Sequence, residues 1–395
     1  MRSAAANPGA IPGAATPHVA ALDGVRAIAI LLVIPHNVDV LTGALNPLEY
    51  PAKLFMHTGW IGVQLFFVLS GFLITGNLLD TRRADNYFSA FFGRRALRIL
   101  PLYFAVLIAA FVIAPLLALP LGPTHANASQ QLALWTFLSN WTQPYWGSAD
   151  GFGHFWSLAV EEQFYLLWPL AVWSASPRRL LAVCAAATVG ALATRAALAA
   201  AQFPHEALYM FTPCRMDALA LGAAAAALLR IPQAHAWLCR STRGIALAAV
   251  TMLVAVAAGT DLFAVYDPAS QLFGYTFLAL AFALSVLLAV LPTRGILARA
   301  LRPLSFAPLR LIGRYSYGMY VFHLPLHVFV GLPLLHRLMP QITPAAAIVY
   351  AAAMTIASFA VAAISYELFE RHFLRLKSRL AYKILPPSKA IGTES

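Results

Sequence analysis

The 395-residue sequence predicts an all-α polytopic membrane protein with about ten transmembrane helices and both termini cytoplasmic. Three observations carry that prediction. First, 61% of the residues are hydrophobic and 11% charged, with a mean hydropathy of +0.72. A soluble domain carries roughly a quarter of its residues charged. Second, apolar windows of about 20 residues recur along the chain, the length a helix needs to cross hydrocarbon. Third, the basic residues gather at alternate ends of those windows, as the positive-inside rule demands. The net charge of +12 therefore reads as topology, and no nucleic-acid partner is expected.

Residues 1–21 are rich in Ala, Pro and Gly and are expected to form a disordered cytoplasmic leader. The membrane region, 22–370, holds windows near 22–41, 59–79, 99–119, 155–175, 180–201, 207–229, 244–260, 271–291, 314–335 and 344–366. The fourth and sixth carry charges. A shorter window at 131–141 is expected to be an interfacial or re-entrant helix. It sits in the long outer connection 120–153, whose Trp135, Trp141 and Trp146 suit an aromatic belt or a sugar-stacking platform. Residues 371–395 form a basic cytoplasmic tail. With the N-terminus inside, all but five of the 27 basic residues fall on the cytoplasmic side. Lys53 and Arg337 lie outside; Arg26, Arg195 and Arg215 lie within spans. Cys184, Cys214 and Cys239 make no disulfide framework.

An ionisable group at membrane depth is costly unless paired or hydrated, so each such residue is a functional candidate. The first span, LDGVRAIAILLVIPHN, holds Arg26 and His36. His36 lies ten residues on from Arg26, about 15 Å along the helix. That distance suits a long ligand held by a cation near one end and an imidazole near the other. The bland reading is an arginine that snorkels to headgroups and a histidine that caps the span. In HFWSLAVEEQFYLLWP, Glu161 and Glu162 enter an apolar helix and point about 100° apart. They suit orienting a histidine, binding a hydroxyl, or an interhelical ion pair with Arg195 or Arg215. Asp217 and Arg215, in CRMDALALGA, are expected to neutralise each other. GRYSYGMYVFHLPL supplies Tyr317, Tyr320 and His323, and His327 follows; the histidines read first as hydrogen-bonded core residues, and no metal site is expected. FFGRRALRILPLYF places Arg94, Arg95 and Arg98 at the cytoplasmic mouth of the third span. Guanidinium groups so spaced suit phosphates.

Together with GVQLFFVLSGFLIT (62–75), these blocks resemble, in order, the acyltransferase-3 family of bacterial integral-membrane O-acyltransferases. The resemblance implies transfer of an acyl group, usually acetyl from cytoplasmic acetyl-CoA, to a hydroxyl of an extracytoplasmic carbohydrate or glycolipid. It places the protein in the bacterial inner membrane, among membrane lipid. It assigns catalysis to His36, Arg26 and Glu161, and the acyl-CoA donor to Arg94, Arg95, Arg98 and Arg26. It leaves either a one-protein reaction or a separate periplasmic transferase partner. One departure stands out: a single residue fewer than usual separates Arg26 from His36, and Pro35 precedes the histidine. Ten helical steps turn His36 about 80° away from Arg26, where eleven would return it to within about 20°. Two rival functions fit the same residues: acylation of a macrolide sugar, and proton-coupled transport without acyl transfer.

Overall fold

The computed structural model describes residues 19–41, 50–119, 126–339 and 341–383. Residues 1–18 of the expected leader and the tail beyond 383 lie outside the described residues.

Among the described residues every extended regular element is helical. The first half comprises α1 (Ala20–Asn37), α2 (Tyr50–Thr58), α3 (Ile61–Thr81), α4 (Tyr87–Ile108), α5 (Ala128–Trp135), α6 (Ser139–Trp146) and α7 (Phe155–Ser174). The second half comprises α8 (Pro177–Ala200), α9 (Thr212–Leu228), α10 (Thr242–Gly259), α11 (Tyr275–Val290), α12 (Ala307–Leu326) and α13 (Pro344–Ser365). Helix starts follow local chemistry. Ser176 and Thr343 accept hydrogen bonds from the backbone N–H groups of Arg179 (3.3 Å) and Ala346 (3.2 Å), and Pro177 and Pro344 occupy the first helical positions.

Each of the ten predicted windows holds a helix. Eight helical stretches among the described residues are long and apolar enough to cross a membrane. The charge-bearing fourth and sixth windows, α7 and α9, are not among those eight. Helix α9 is 17 residues long and buried on nearly every face, packed between α3 and α8. A helix that faces protein needs no lipid-facing stripe, so its sequence spends positions on alanine and on Arg215 and Asp217. Two glycines bring α3 and α9 into backbone contact. A Cβ on Gly71 would lie 1.9 Å from the Leu219 carbonyl oxygen, and one on Gly222 would lie 1.9 Å from that of Val68. This is the small-residue helix crossing of membrane bundles.

The 131–141 window resolves into the short pair α5 and α6. Asn127 and Gln130 form a reciprocal capping box at the start of α5. Tyr103 of α4 donates to the Leu134 carbonyl (2.7 Å) and Gln163 of α7 to the Phe137 carbonyl (2.8 Å), so two spanning-length helices hold the pair. Helices α1, α3, α7 and α12 surround the polar interior; α8 and α10 turn much of their surface outward.

Candidate active site

One cavity gathers residues from α1, α3, α4, α7 and α12. Its lining on α3 runs from Val63 to Ile74, about 16 Å at the helical rise. One end is cationic, with Arg26, Arg95 and Arg98. The wall between is largely apolar, with Phe66, Phe67 and Leu69. The other end carries the hydroxyls of Ser157 and Tyr320.

Each cation is aimed by a neighbour. Arg26 Nη1 donates to Asp23 Oδ1 at 3.0 Å, one turn back on α1. Asp23 lies where α1 and α12 touch: a Cβ on Gly313 would sit 2.0 Å from its carbonyl oxygen. Arg95 is held on two sides. Its Nη2 is 3.8 Å from Glu161 Oε2 and its Nε 3.8 Å from Glu162 Oε1. Its guanidinium lies 3.7 Å from the centroid of the Tyr165 ring, a cation–π stack. Tyr165 in turn hydrogen-bonds Ser70 of α3. Trp168 Nε1 donates to Thr75 Oγ1 at 2.8 Å, which fixes the register of α7 on α3. The Arg98 guanidinium faces Tyr317, whose hydroxyl donates to the Ile99 carbonyl at 2.7 Å.

Of the residues singled out in the sequence, Arg26, Arg95, Arg98 and Glu161 therefore line one cavity. Arg26 does not merely snorkel, and Glu161 pairs with Arg95 rather than with Arg195 or Arg215. Arg94 and His36 are not among the lining residues. Arg94 Nη1 donates to the Lys377 carbonyl (3.1 Å) and faces Tyr382, against the chain that follows α13. His36 lies in the last turn of α1, half-buried, and its Nδ1 donates to the Met56 carbonyl at 2.8 Å. The ten-step turn from Arg26 accounts for its departure from the cavity face; Pro35 lies within α1 without ending it. Because a carbonyl only accepts, Nδ1 carries the proton and the neutral ring presents Nε2 as its basic nitrogen.

The expected Arg215–Asp217 couple is corrected. Asp217 Oδ2 lies 3.0 Å from Arg195 Nη1 and accepts from Thr276 Oγ1 at 2.6 Å. Two positions apart on a helix, Arg215 and Asp217 point about 200° apart and do not face each other. Arg215 hydrogen-bonds Gln64 and lies within a cage of Phe67, Tyr209 and Tyr275.

Sequence reasoning passed over Tyr165 and Ser70. The signal for Tyr165 was present: it stands four residues after Glu161, on the same helical face. Ser70 is the one hydroxyl in the run QLFFVLSGF, which binary pattern alone gives no reason to select.

An acyltransferase domain model matches residues 19–366. Among known proteins the chain is similar to the "Putative peptidoglycan O-acetyltransferase YrhL" of Bacillus subtilis, 28% identical over 334 residues, 79% of this chain and 49% of that protein. It is also similar to the "Peptidoglycan O-acetyltransferase OatA" of Listeria monocytogenes, 27% identical over 372 residues, 89% of this chain and 55% of that protein. The "O-acetyltransferase OatA" of Staphylococcus aureus is 27% identical over 396 residues, 93% of this chain and 59% of that protein. The chain thus spans about half the length of these relatives. No solved structure matches it. With the domain model spanning all ten apolar windows, the chain belongs to the acyltransferase-3 family.

Proposed function

We propose that the protein is a membrane O-acetyltransferase of the bacterial inner membrane. It takes acetyl from acetyl-CoA on the cytoplasmic side and delivers it to a hydroxyl of an extracytoplasmic glycan, with both termini cytoplasmic. One observation carries this reading: Arg26, Arg95 and Arg98, supplied by two helices far apart in sequence, form the cationic end of a cavity whose opposite end is lined by hydroxyls. A phosphate-bearing thioester with a long uncharged arm has that pattern of charge. The relatives' names favour a peptidoglycan-type acceptor.

In this reading Arg94 and Arg98 meet the donor's phosphates, and the planar forks suit them. Arg26 polarises the thioester carbonyl and stabilises the oxyanion that develops there. Glu161 and Glu162 position Arg95. His36 Nε2, at the outer end, acts as general base toward the acceptor hydroxyl. Hydroxyl attack forms the new C–O bond, the C–S bond breaks, and its electron pair leaves on sulfur.

Inside-out membrane vesicles supplied with radiolabelled acetyl-CoA test the proposal. Label is expected on an enclosed glycan, and His36→Ala is expected to abolish it. Label on a macrolide sugar but on no glycan would change the acceptor class. Proton-coupled solute uptake with no label transfer would replace the reading with a carrier.

A further inference from the structure

The chain that follows α13 returns to the start of α4. Residues Leu376–Leu380 form a 3-10 turn, and the chain runs on to Lys383. This strap is fastened to the corner between α3 and α4. Asn86 Nδ2 donates to the Ala381 carbonyl at 2.9 Å, and the Lys383 N–H donates to Asn86 Oδ1 at 2.8 Å. The Asp85 N–H donates to the Lys383 carbonyl at 3.1 Å, and Asn77 Nδ2 donates to Tyr382 Oη at 3.0 Å. Leu380 lies against Gly93 of α4, where a Cβ would sit 2.7 Å from Leu380 Cδ1.

Two cations of the strap part company. Arg379 lines an apolar recess with Gly93, Ala96 and Leu97. Lys377 sits on the side of the arginines. Arg94 Nη1 donates to its carbonyl at 3.1 Å, and its half-buried ammonium lies within electrostatic reach of Arg98, Arg94 and Arg95. Among the described residues no carboxylate offsets those charges at Lys377. Like charges held together repel, and burial raises the cost. The hydrogen bonds from Asn77, Asp85 and Asn86 hold the strap in place against that repulsion. An ammonium kept among guanidinium groups suits a polyanion, whose arrival turns the repulsion into attraction.

The order of these cations follows the order of groups on acetyl-CoA. Arg26, Arg95 and Arg98 line the cavity, whereas Arg94 and Lys377 do not. With the uncharged pantetheine arm in the cavity, the pyrophosphate that follows it comes to Arg95 and Arg98. The 3′-phosphate, on the ribose beyond, is the charged group left outside. We propose that the strap completes the donor site: Lys377, together with Arg94, binds the ribose 3′-phosphate of acetyl-CoA and selects it over donors that lack this phosphate. The proposal rests on the acetyl-CoA reading above. Lys377 meets the donor far from the transferred acetyl, so it sets donor affinity and specificity, and its effect falls on KM.

Proteoliposomes loaded with soluble peptidoglycan fragments test this when supplied outside with radiolabelled acetyl-CoA or with its 3′-dephospho analogue. The wild type is expected to favour acetyl-CoA about tenfold in kcat/KM, through KM, as one charged phosphate contact allows. Lys377→Met is expected to cut that preference about fivefold and leave the remainder to Arg94. Lys377→Arg keeps the charge and should keep most of the preference. Asn86→Ala removes the Asn86 bonds to Ala381 and Lys383, and should cut the preference about threefold by loosening the strap. An undiminished preference in Lys377→Met overturns the assignment, as does a wild type that uses both donors equally. An equal loss for both donors in Lys377→Met also overturns it, because a strap that only supports the fold would weaken both alike. If Lys377→Met does not fold, Lys377→Gln and the wild-type ratio decide. A wild type that moves label from neither donor refutes the acetyl-CoA reading itself, and the assignment falls with it.

Discussion

Two clusters of arginine lie inside this bundle, and they are built in opposite ways. Arg195 and Arg215 sit in a sealed cluster between α8, α9, α3 and α11. The side chains of Arg195 and Asp217 are 0% exposed. Arg195 also donates to Thr276 Oγ1 at 2.6 Å and to the Cys214 carbonyl. The other cluster, Arg26, Arg95 and Arg98, opens onto a cavity. The Arg26 side chain is 33% exposed and that of Arg95 is 22% exposed, and their carboxylate partners lie 3.0 to 3.8 Å away. The sealed cluster faces only protein, where Arg195 Nε and Arg215 Nε and Nη1 have no hydrogen-bond partner. The open cluster keeps guanidinium surface available for a ligand. The difference teaches that intramembrane charge marks function when its guanidinium surface is left open to a ligand.

The sealed cluster gives the largest expected effect. Asp217→Asn removes the carboxylate that pairs with Arg195 and leaves two arginines buried with no anion between them. Breaking a buried pair on one side costs about 3–5 kcal/mol. Thermal unfolding in detergent should show that loss, with acetyl transfer falling only as far as folded protein falls. A variant of normal stability would mean that water or lipid headgroups reach the cluster, and the contrast with the open one would disappear.

The open cluster should answer in the reverse manner. Arg26→Lys keeps the charge and the approach to Asp23 but removes the planar fork. Transfer should fall about 10- to 100-fold, the worth of a charged hydrogen bond at about 1.5–3 kcal/mol. Thermal stability should change little. Equal activity with lysine would reduce Arg26 to a point charge and remove carbonyl recognition from its role.

These two experiments also show what sequence could and could not deliver. The ten windows were legible because lipid imposes a length and an apolarity that no soluble fold requires. Arg26 and Glu161 were legible because charge in such windows is rare, and Arg95 and Arg98 because arginines crowd the mouth of the third window. Their sorting was not legible. Arg215 stands two residues from Asp217, and sequence proximity suggested a pair; the partner, Arg195, comes from the preceding helix, and only packing brings it there. Glu161 could have met any of several arginines until α7 was seen fixed on α3 by Trp168 and Thr75. His154 opens the most telling block, yet its burial against His323 depends on α12, more than 150 residues later.

Gly222 tests the scaffold that keeps the clusters apart. Its α-carbon lies against the Val68 carbonyl, so Gly222→Ala must push α9 away from α3. Overpacking of this kind costs about 1–3 kcal/mol. Because α3 lines the cavity and α9 carries the sealed cluster, stability and the acetyl-CoA KM should both worsen. A loss of stability with unchanged KM would show that the cavity wall moves independently of the sealed core.

Arg94 and Arg98 sharpen the comparison at its finest grain. They stand four residues apart on α4, one helical turn, and share a face. The cavity nevertheless includes Arg98 and omits Arg94, which spends one donor on the Lys377 carbonyl. If donors open to the cavity are what matters, the two arginines contribute unequally to donor binding. Arg98→Ala should raise the acetyl-CoA KM about tenfold, or about 1.4 kcal/mol. Arg94→Ala should raise it only two- to fivefold, about 0.5–1 kcal/mol, the range of an exposed charge pair, and added salt should erase most of that difference. The alternative is a donor whose phosphates sit outside the cavity, on Arg94 and the chain around Lys377. In that case the order of the two effects inverts, and the cationic mouth belongs to the segment after α13 rather than to the bundle interior.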